Sequence, residues 1–543
     1  LILDALRPNR GKSPVSKQLT MPFPVGGWDA SSPLAAMKPD RAVQLKNWFP
    51  QPGWGEIRRG FRRHAWDIVS NSTPVETLMA WRGPASSKMF AAGGGAIYDV
   101  TSNAQATSAV TGLGEDRWQH VNQTTSGGHY LFIVNGIDDP RHYNGTAWAT
   151  PSITGFTASD AIQVNTHKRR IWMVPADSTT AYYLGTDAIA GAATSFALGS
   201  LFSRGGYLMA MATWTRDGGA GSDDYAVFIS SEGQVALYQG TDPASSTTWS
   251  LVGVFDVPPP IGRRCFFRWG ADLGLITLQG VYPLSQLLAV DQSQANRVSL
   301  TENIAQAFND AHRAHGNKWG WEGCVYPKGT RLIVNVPTTE NSTSIQYVMN
   351  TITGAWCEYD GHNANCWLVY DEEVYFGGMN GAVYKADTGA VDYTVPIVAV
   401  GQAAYSALGT PKIKQWKMIR PLITASGIYR PGIGISTDFQ ETDTLSASDV
   451  ASGGSISVFG SAVFDSSTFA NDVNNVSDWV DVGAIGSFGS IKFTGRIGVD
   501  AAAAGGEWGV AVWGGDVWGG TGATEEILKI NGFLVMAEVG GSL

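Results

Sequence analysis

Between about residues 75 and 395 the chain alternates short apolar runs with clusters of Gly, Asn and Asp. Residues 356–386, WCEYDGHNANCWLVYDEEVYFGGMNGAVYKA, read as strand, turn, strand, turn, strand. The second half of that stretch has an early twin: residues 89–98 align without a gap on residues 375–384. In both, an aromatic residue ends one strand, small residues turn the chain, and an alternating apolar strand ends in Tyr. Looser copies lie at residues 132–143, 172–183, 228–238, 275–282 and 332–347. Their starts fall roughly 40 to 57 residues apart, near the blade period of a β-propeller. Each such unit exposes a face that it cannot bury alone, so neighbours must stack. Matching hairpins near both ends suit a closed ring. The pattern predicts an all-β chain with a β-propeller of six or seven blades over residues 71–399.

The flanks read differently. Residues 1–70 have little periodicity and many Pro, Gly and Asn, which predicts an extended N-terminal arm. Its Trp48, Phe49 and Trp54 carry too much apolar area to be left in water, and the Pro and Gly among them forbid a helix. The arm is therefore expected to dock its rings on the propeller or on a neighbouring subunit. One helix is predicted, over residues 299–314, with Ser299 or Thr301 as its cap and Ile304, Phe308 and Ala311 on one face. A lone helix in a ring of sheets reads as an insertion between blades. Turns are signalled at Asp217-Gly218-Gly219, Glu232-Gly233, Lys328-Gly329 and Asn380-Gly381. After residue 400 come strands near 412–421, 479–499 and 527–539, and a Ser-, Asp- and Gly-rich stretch over 440–475 that reads as a long loop or hairpin arm. Residues 400–543 are thus expected to form a C-terminal β-sandwich or barrel. Trp508, Trp513 and Trp518 recur every five residues, cushioned by Gly. They fit a core, a sugar-stacking platform or an interface belt.

Composition sharpens this. At 543 residues the chain exceeds one ordinary core. Only 15% of residues are charged, while Gly numbers 66 and Trp 20. A polar but weakly charged surface suits a permanent assembly better than a freely diffusing enzyme. The formal charge of -10 gives no basic footprint for binding nucleic acid. Two basic clusters stand out, Arg58-Arg59 with Arg62-Arg63, and Lys168-Arg169-Arg170. Each reads either as a solvated strand end or as a partner contact. Cys265, Cys324, Cys357 and Cys366 form no C-x-x-C pair and have no His at zinc spacing, so buried free thiols are expected, although Cys357 and Cys366 could face each other across a hairpin. The opening LILDALRPNR is too charged for a signal peptide, and its missing Met suggests trimming or a numbering choice. No run reaches the ~18–20 apolar residues of a membrane span.

Several stretches together bring a family into view. The arm's N-W-F-P…R-R-G-F pattern, residues 350–357 (NTITGAWC), the Gly280-Val281-Tyr282-Pro283-Leu284-Ser285 turn and the Trp-rich C-terminal stretch resemble the tail hub or nozzle proteins of short-tailed bacteriophages. The order of arm, propeller and β-domain is similar as well. The resemblance implies a virion protein, assembled in the host cytoplasm, that forms a hexamer below the portal and its adaptor. Such a ring extends the DNA channel, carries fibres or spikes, and holds the packaged genome until ejection. It implies no catalytic residue and no cofactor. Its working surfaces would be subunit interfaces, with Trp48, Phe49, Trp54, Arg58, Arg59, Trp508, Trp513 and Trp518 as the candidate assembly residues. DNA must pass without sticking. Lys and Arg on the wall would bind phosphates through counterion release, whereas an acidic or neutral lumen would not.

Other chemistry is sparsely signalled. There is no G-x-x-x-x-G-K-[ST] loop, no H-E-x-x-H and no G-x-S-x-G elbow. Residues 217–224, DGGAGSDD, have calcium-like composition without the spacing or terminal Glu of a calcium loop. His120, His129 and His142 lack an evident partner. A glycan-active propeller enzyme would need a carboxylate pair across a pocket. The available acids are Asp138-Asp139, Glu358 with Asp360, and Glu372-Glu373, and residues 240–249 faintly resemble a sialidase turn. A non-catalytic receptor-binding or scaffold propeller is a third reading.

Overall fold

The computed structural model of the protein describes residues 17–69, 73–217, 222–425, 431–440, 478–498 and 527–539. The chain divides into two compact units, residues 61–354 with 359–388, and residues 1–60 with 355–358 and 389–543.

The first unit is a β-propeller of seven blades, all antiparallel. Blades 1 to 4 have four strands each: Thr77–Arg82, Ser87–Ala92, Ala96–Asp99 and Thr107–Thr111; Gln119–Thr125, Gly128–Val134, Arg141–Tyr143 and Trp148–Ala149; Ala161–His167, Arg170–Pro175, Thr180–Tyr183 and Thr194–Ala197; Leu208–Asp217, Ser222–Ser230, Gln234–Gly240 and Trp249–Asp256. Blade 5 is Phe266–Trp269, Asp272–Thr277 and Gly280–Pro283, and blade 6 contributes Glu322–Tyr326, Arg331–Thr339 and Thr343–Asn350. Blade 7 is Ala364–Tyr370, Glu373–Gly378 and Val383–Ala386, and its outermost strand is Phe61–Trp66, from the start of the unit. Every hairpin in the repeated pattern is the second and third strand of a blade.

Alternation sets the ring. In blade 1, Leu78, Ala80, Met89 and Ala91 point one way and join Tyr375, Val383 and Cys366 of blade 7 in a single core. Met79, Trp81, Phe90 and Ala92 point the other way and meet Leu131, Ile133 and Tyr143 of blade 2. Phe132 and Val134 then face Ile171 and Met173 of blade 3, and Trp172 and Val174 face Met211 and Phe228 of blade 4. Both faces of each inner strand are apolar because each is covered by a neighbouring blade. Each fully buried Leu, Val, Ile, Phe or Met side chain supplies about 1.5–3 kcal/mol. The last blade packs on the first, so the ring has no open side.

The turns follow backbone sterics only in part. Gly381 (φ 68°) and Gly233 (φ 78°) take the left-handed conformation expected of them, and a Cβ on Gly233 would lie 2.2 Å from the Val257 carbonyl oxygen. At the Lys328-Gly329 turn it is Thr330, at φ 51°, that is left-handed. Lys168 and Arg169 (φ 47° and 61°) and Asp371 and Glu372 (φ 46° and 61°) form tight hairpin turns without glycine. The predicted helix is present as a short 3-10 turn, Glu302–Ile304, leading into Ala305–His315, with Ile304, Phe308 and Ala311 buried. Neither expected cap holds it, since Thr301 makes no capping hydrogen bond. The helix lies between blades 5 and 6, preceded by a shorter one at Leu284–Leu287.

The second unit is a β-sandwich. One sheet runs Trp48–Gln51, Trp54–Ile57, Leu528–Val539, Lys414–Ala425 and Val480–Gly486, with Lys17–Pro22 also paired to Leu528–Val539. The other pairs Arg41–Lys46 with Val395–Ala403, then Gly489–Ile497 and Gly432–Thr437. Their inner faces meet through rings: Phe493 lies 5.6 Å from Trp48, 5.5 Å from Phe23 and 5.3 Å from Phe533, centre to centre. The extended arm is therefore corrected. Lys17–Pro22, Gly27–Trp28, Arg41–Lys46, Trp48–Gln51 and Trp54–Ile57 are strands paired into this unit, and Phe61–Trp66 closes the propeller. The C-terminal part of this unit begins at residue 389, before the expected boundary at 400. The stretch 441–477 lies outside the described residues. No helix among the described residues is long and apolar enough to cross a membrane, which says nothing of a β-barrel.

Candidate functional site

The residues expected to make an assembly interface separate into three groups. Trp48 and Phe49 are wholly buried in the sandwich core, and Arg58 is 1% exposed. Its guanidinium meets both carboxylate oxygens of Asp392, at 2.7 and 2.5 Å, and donates from Nε to Asn47 Oδ1 at 2.8 Å. These three cannot face a second copy, because the strands of their own unit cover them. Trp54 is half-buried with Lys529 5.2 Å from its ring centre, and Arg59 is exposed. Trp508, Trp513 and Trp518 lie outside the described residues.

The basic clusters are likewise structural. Lys168 pairs with Asp224 at 2.7 Å, Arg169 with Asp187, and Arg170 with Asp242 at 3.1 Å, so the expected solvated strand end is a set of ion pairs. Arg63 lies over the Trp66 ring at 4.8 Å. Asp138 accepts backbone N–H groups of Gly114 and Glu115 and the Asn135 amide, which fixes a loop. Glu358 pairs with Lys46 at 3.7 Å, and Glu373 with Lys328 and Lys385. Of the acids named for a glycosidase, Asp138 is thus held in a loop and Glu358 and Glu373 in ion pairs. Among the described residues no cluster of His, Cys, Asp and Glu could hold a metal ion.

The chemistry that the ring does assemble lies on its axis. All seven innermost strands or their leading loops contribute to one cavity of about 190 Å³: Thr77 and Leu78, His120, Gln163 and Asn165, Met211, Arg263 and Arg264, Glu322 and Cys366. At ~30 Å³ per water it holds about six waters, too small to pass a nucleic acid. Arg264 is fully engaged. It donates to the Glu76 carbonyl at 3.2 Å, to Thr77 Oγ1 at 3.0 Å and to Glu322 Oε2 at 3.4 Å. Arg117, Arg263 and Arg264 gather on one indole, Trp319, at 5.2, 5.0 and 4.2 Å from its centre. Arg117 is balanced by Glu76 at 2.6 Å and Glu340 at 2.7 Å. Burial pushes the Glu322 carboxyl above the usual range while Arg264 pulls it part of the way back. Burial and then Arg264 draw the His120 imidazole down to about 4, so it is neutral at pH 7.

No protein-family model matches the chain, and no curated protein does. Solved structures do resemble it in part. The chain is similar to BBS1N in complex with ARL6DN at 10% identity, covering 61% of this chain and 97% of that one, with a TM-score of 0.38. It is similar to YCF48 bound to D1 peptide at 9% identity, 63% and 97% coverage, TM-score 0.33. The computationally designed Ika8 protein matches at 9% identity, 60% and 99% coverage, TM-score 0.33. The propeller assignment rests on the seven sheets and their closure rather than on these likenesses.

The four cysteines are free and buried, so the pairing of Cys357 with Cys366 is not made. Burial pushes the Cys366 thiol up to about 12, and raises Cys265 and Cys324 further. The folded protein is expected to leave all four unreactive toward a chromogenic disulfide reagent, with four equivalents released only in denaturant. Rapid labelling of the native chain would contradict their burial.

Sequence reasoning missed the axial group. Glu322 lies more than fifty residues from Arg263 and Arg264, and the three come together only when the ring forms. The sole local signal was a pair of adjacent arginines leading into a strand.

Proposed function

We propose that the chain is a structural virion protein, the nozzle of a short-tailed phage. It assembles as a homohexamer beneath portal and adaptor, lines the exit channel, and holds and then passes the genome. The observation that carries this reading is an exposed apolar edge. Strand Trp249–Asp256 ends blade 4 and, among the described residues, pairs on one side only, with Gln234–Gly240. Its Leu251, Val252 and Val254 are 41%, 48% and 37% exposed. The strand, WSLVGVFD, contains no Lys, Arg or Pro to discourage pairing. A long apolar edge of this kind is a liability in a free monomer and an asset in a permanent assembly. The low charge and the resemblance in the sequence support the same reading.

In this reading a second copy covers the edge, and DNA passes through the bore between the copies rather than through the propeller axis, whose cavity is too small. Six acidic chains repel one another, so apolar burial at the seams must outweigh that repulsion. Val252→Lys is expected to leave the isolated chain within about 0.5 kcal/mol of its original stability and to prevent assembly. Thermal unfolding and sedimentation velocity read the two effects separately. Retention of the assembly by the variant would remove this edge from the interface.

Native mass spectrometry of the full chain, alone and with a portal–adaptor complex, tests the function. A six-copy particle in either sample supports the nozzle. A monomer or trimer indifferent to the complex contradicts it, and glycan cleavage then becomes the next assay.

A further inference from the structure

We propose that the axial cavity of the propeller binds a small oxyanion, of carboxylate or phosphate type, through Arg263. Three guanidinium groups crowd one indole in this site, and two of them have carboxylate partners: Arg117 with Glu76 and Glu340, and Arg264 with Glu322. Arg263 has none among the described residues. Its Nη1 donates to the Asn135 carbonyl at 3.0 Å and the Ile162 carbonyl at 3.5 Å, and no carboxylate comes within ion-pair distance. A cation enclosed by protein without an anion is unfavourable, and an oxyanion from solution would balance it. Burial and the neighbouring Arg264 draw Arg263 down to about 10, and the more distant Glu115 and Glu76 offset only part of that.

The remaining lining fits such a guest. The amide oxygens of Gln163 and Asn165 already accept the Met211 and Thr166 N–H groups, at 3.2 and 2.7 Å. Glu322 uses Oε2 for both Arg264 and the Trp367 N–H, leaving Oε1 to the cavity. His120, neutral and without a hydrogen-bond partner among the described residues, adds another donor. With its Nη1 end held by carbonyls and its face against Trp319, Arg263 keeps the rest of its planar fork for two parallel hydrogen bonds. A volume of about 190 Å³ admits inorganic phosphate or a short carboxylate and excludes a nucleotide. This site follows from the propeller alone and stands or falls independently of hexamer assembly.

Calorimetric titration of the full chain with inorganic phosphate, and separately with acetate, at matched ionic strength in chloride, is the test. The expected result is saturable binding of one anion per chain, tighter for one of the two, which identifies the class. Arg263→Gln should weaken that binding at least tenfold. Should Arg263→Gln fail to fold, Arg263→Lys keeps the charge, loses the fork and is expected to show the same loss. Absence of saturable binding by either anion, or unchanged affinity in a folded variant, overturns the proposal.

Discussion

Replacing Phe61 by Ala is expected to destabilise the propeller by about 3–5 kcal/mol, seen as a fall in the urea midpoint of the full chain. Phe61 opens the strand that closes the ring, in register with Ala386 at the outer edge of blade 7. It is 8% exposed, and its ring lies 5.0 Å from Phe376, 5.1 Å from Tyr384 and 5.3 Å from His362, largely edge-on. Removing it empties a site lined by three rings and weakens the strand that pairs the start of this unit with its last blade. The order of the loss is also informative. Val110 lies in the mostly exposed outer strand of blade 1, and Val110→Ala should cost under about 1 kcal/mol. Equal costs at the two positions would mean that closure by residues 61–66 does not hold the ring.

The second large effect concerns the sandwich. Asp392→Ala is expected to cost about 3–5 kcal/mol, because it removes both carboxylate acceptors of the bidentate pair with the buried Arg58 guanidinium. The pair is 1% and 11% exposed at the two side chains and is bidentate. Asn47 Oδ1 remains as a neutral acceptor and cannot replace a full charge. The double variant Arg58→Met with Asp392→Leu removes both charges and should recover most of the loss, since an apolar pair of similar volume often matches a buried ion pair. Equilibrium denaturation of the single and double variants measures the coupling. A double variant no more stable than Asp392→Ala would show that the pair is replaceable by neither packing nor neutrality.

Much of the propeller was legible because second and third strands are covered on both faces. Runs such as residues 171–175 and 226–229 are continuously apolar and stand out in a linear reading. Outer strands did not stand out. Trp148–Ala149 is two residues long, and Phe61–Trp66 carries Arg62, Arg63 and His64 on a strand with few apolar positions. The burial of Trp48 and Phe49 was readable from their size, but their hosts were not. They pack against strands more than four hundred residues away, and no local pattern encodes that pairing. Arg58 looked like part of a solvated cluster because its partner, Asp392, is equally remote. The axial cavity was invisible for the same reason, since its lining is drawn one to three residues at a time from every blade.

The central claim is a ring of this chain around a channel. Single-particle electron microscopy of the purified chain, with and without a portal–adaptor complex, addresses it most directly. Class averages with six-fold symmetry, an open bore and strand Trp249–Asp256 covered by the neighbouring copy are the predicted result. Monomers in both samples, or a closed oligomer without a bore, would contradict it.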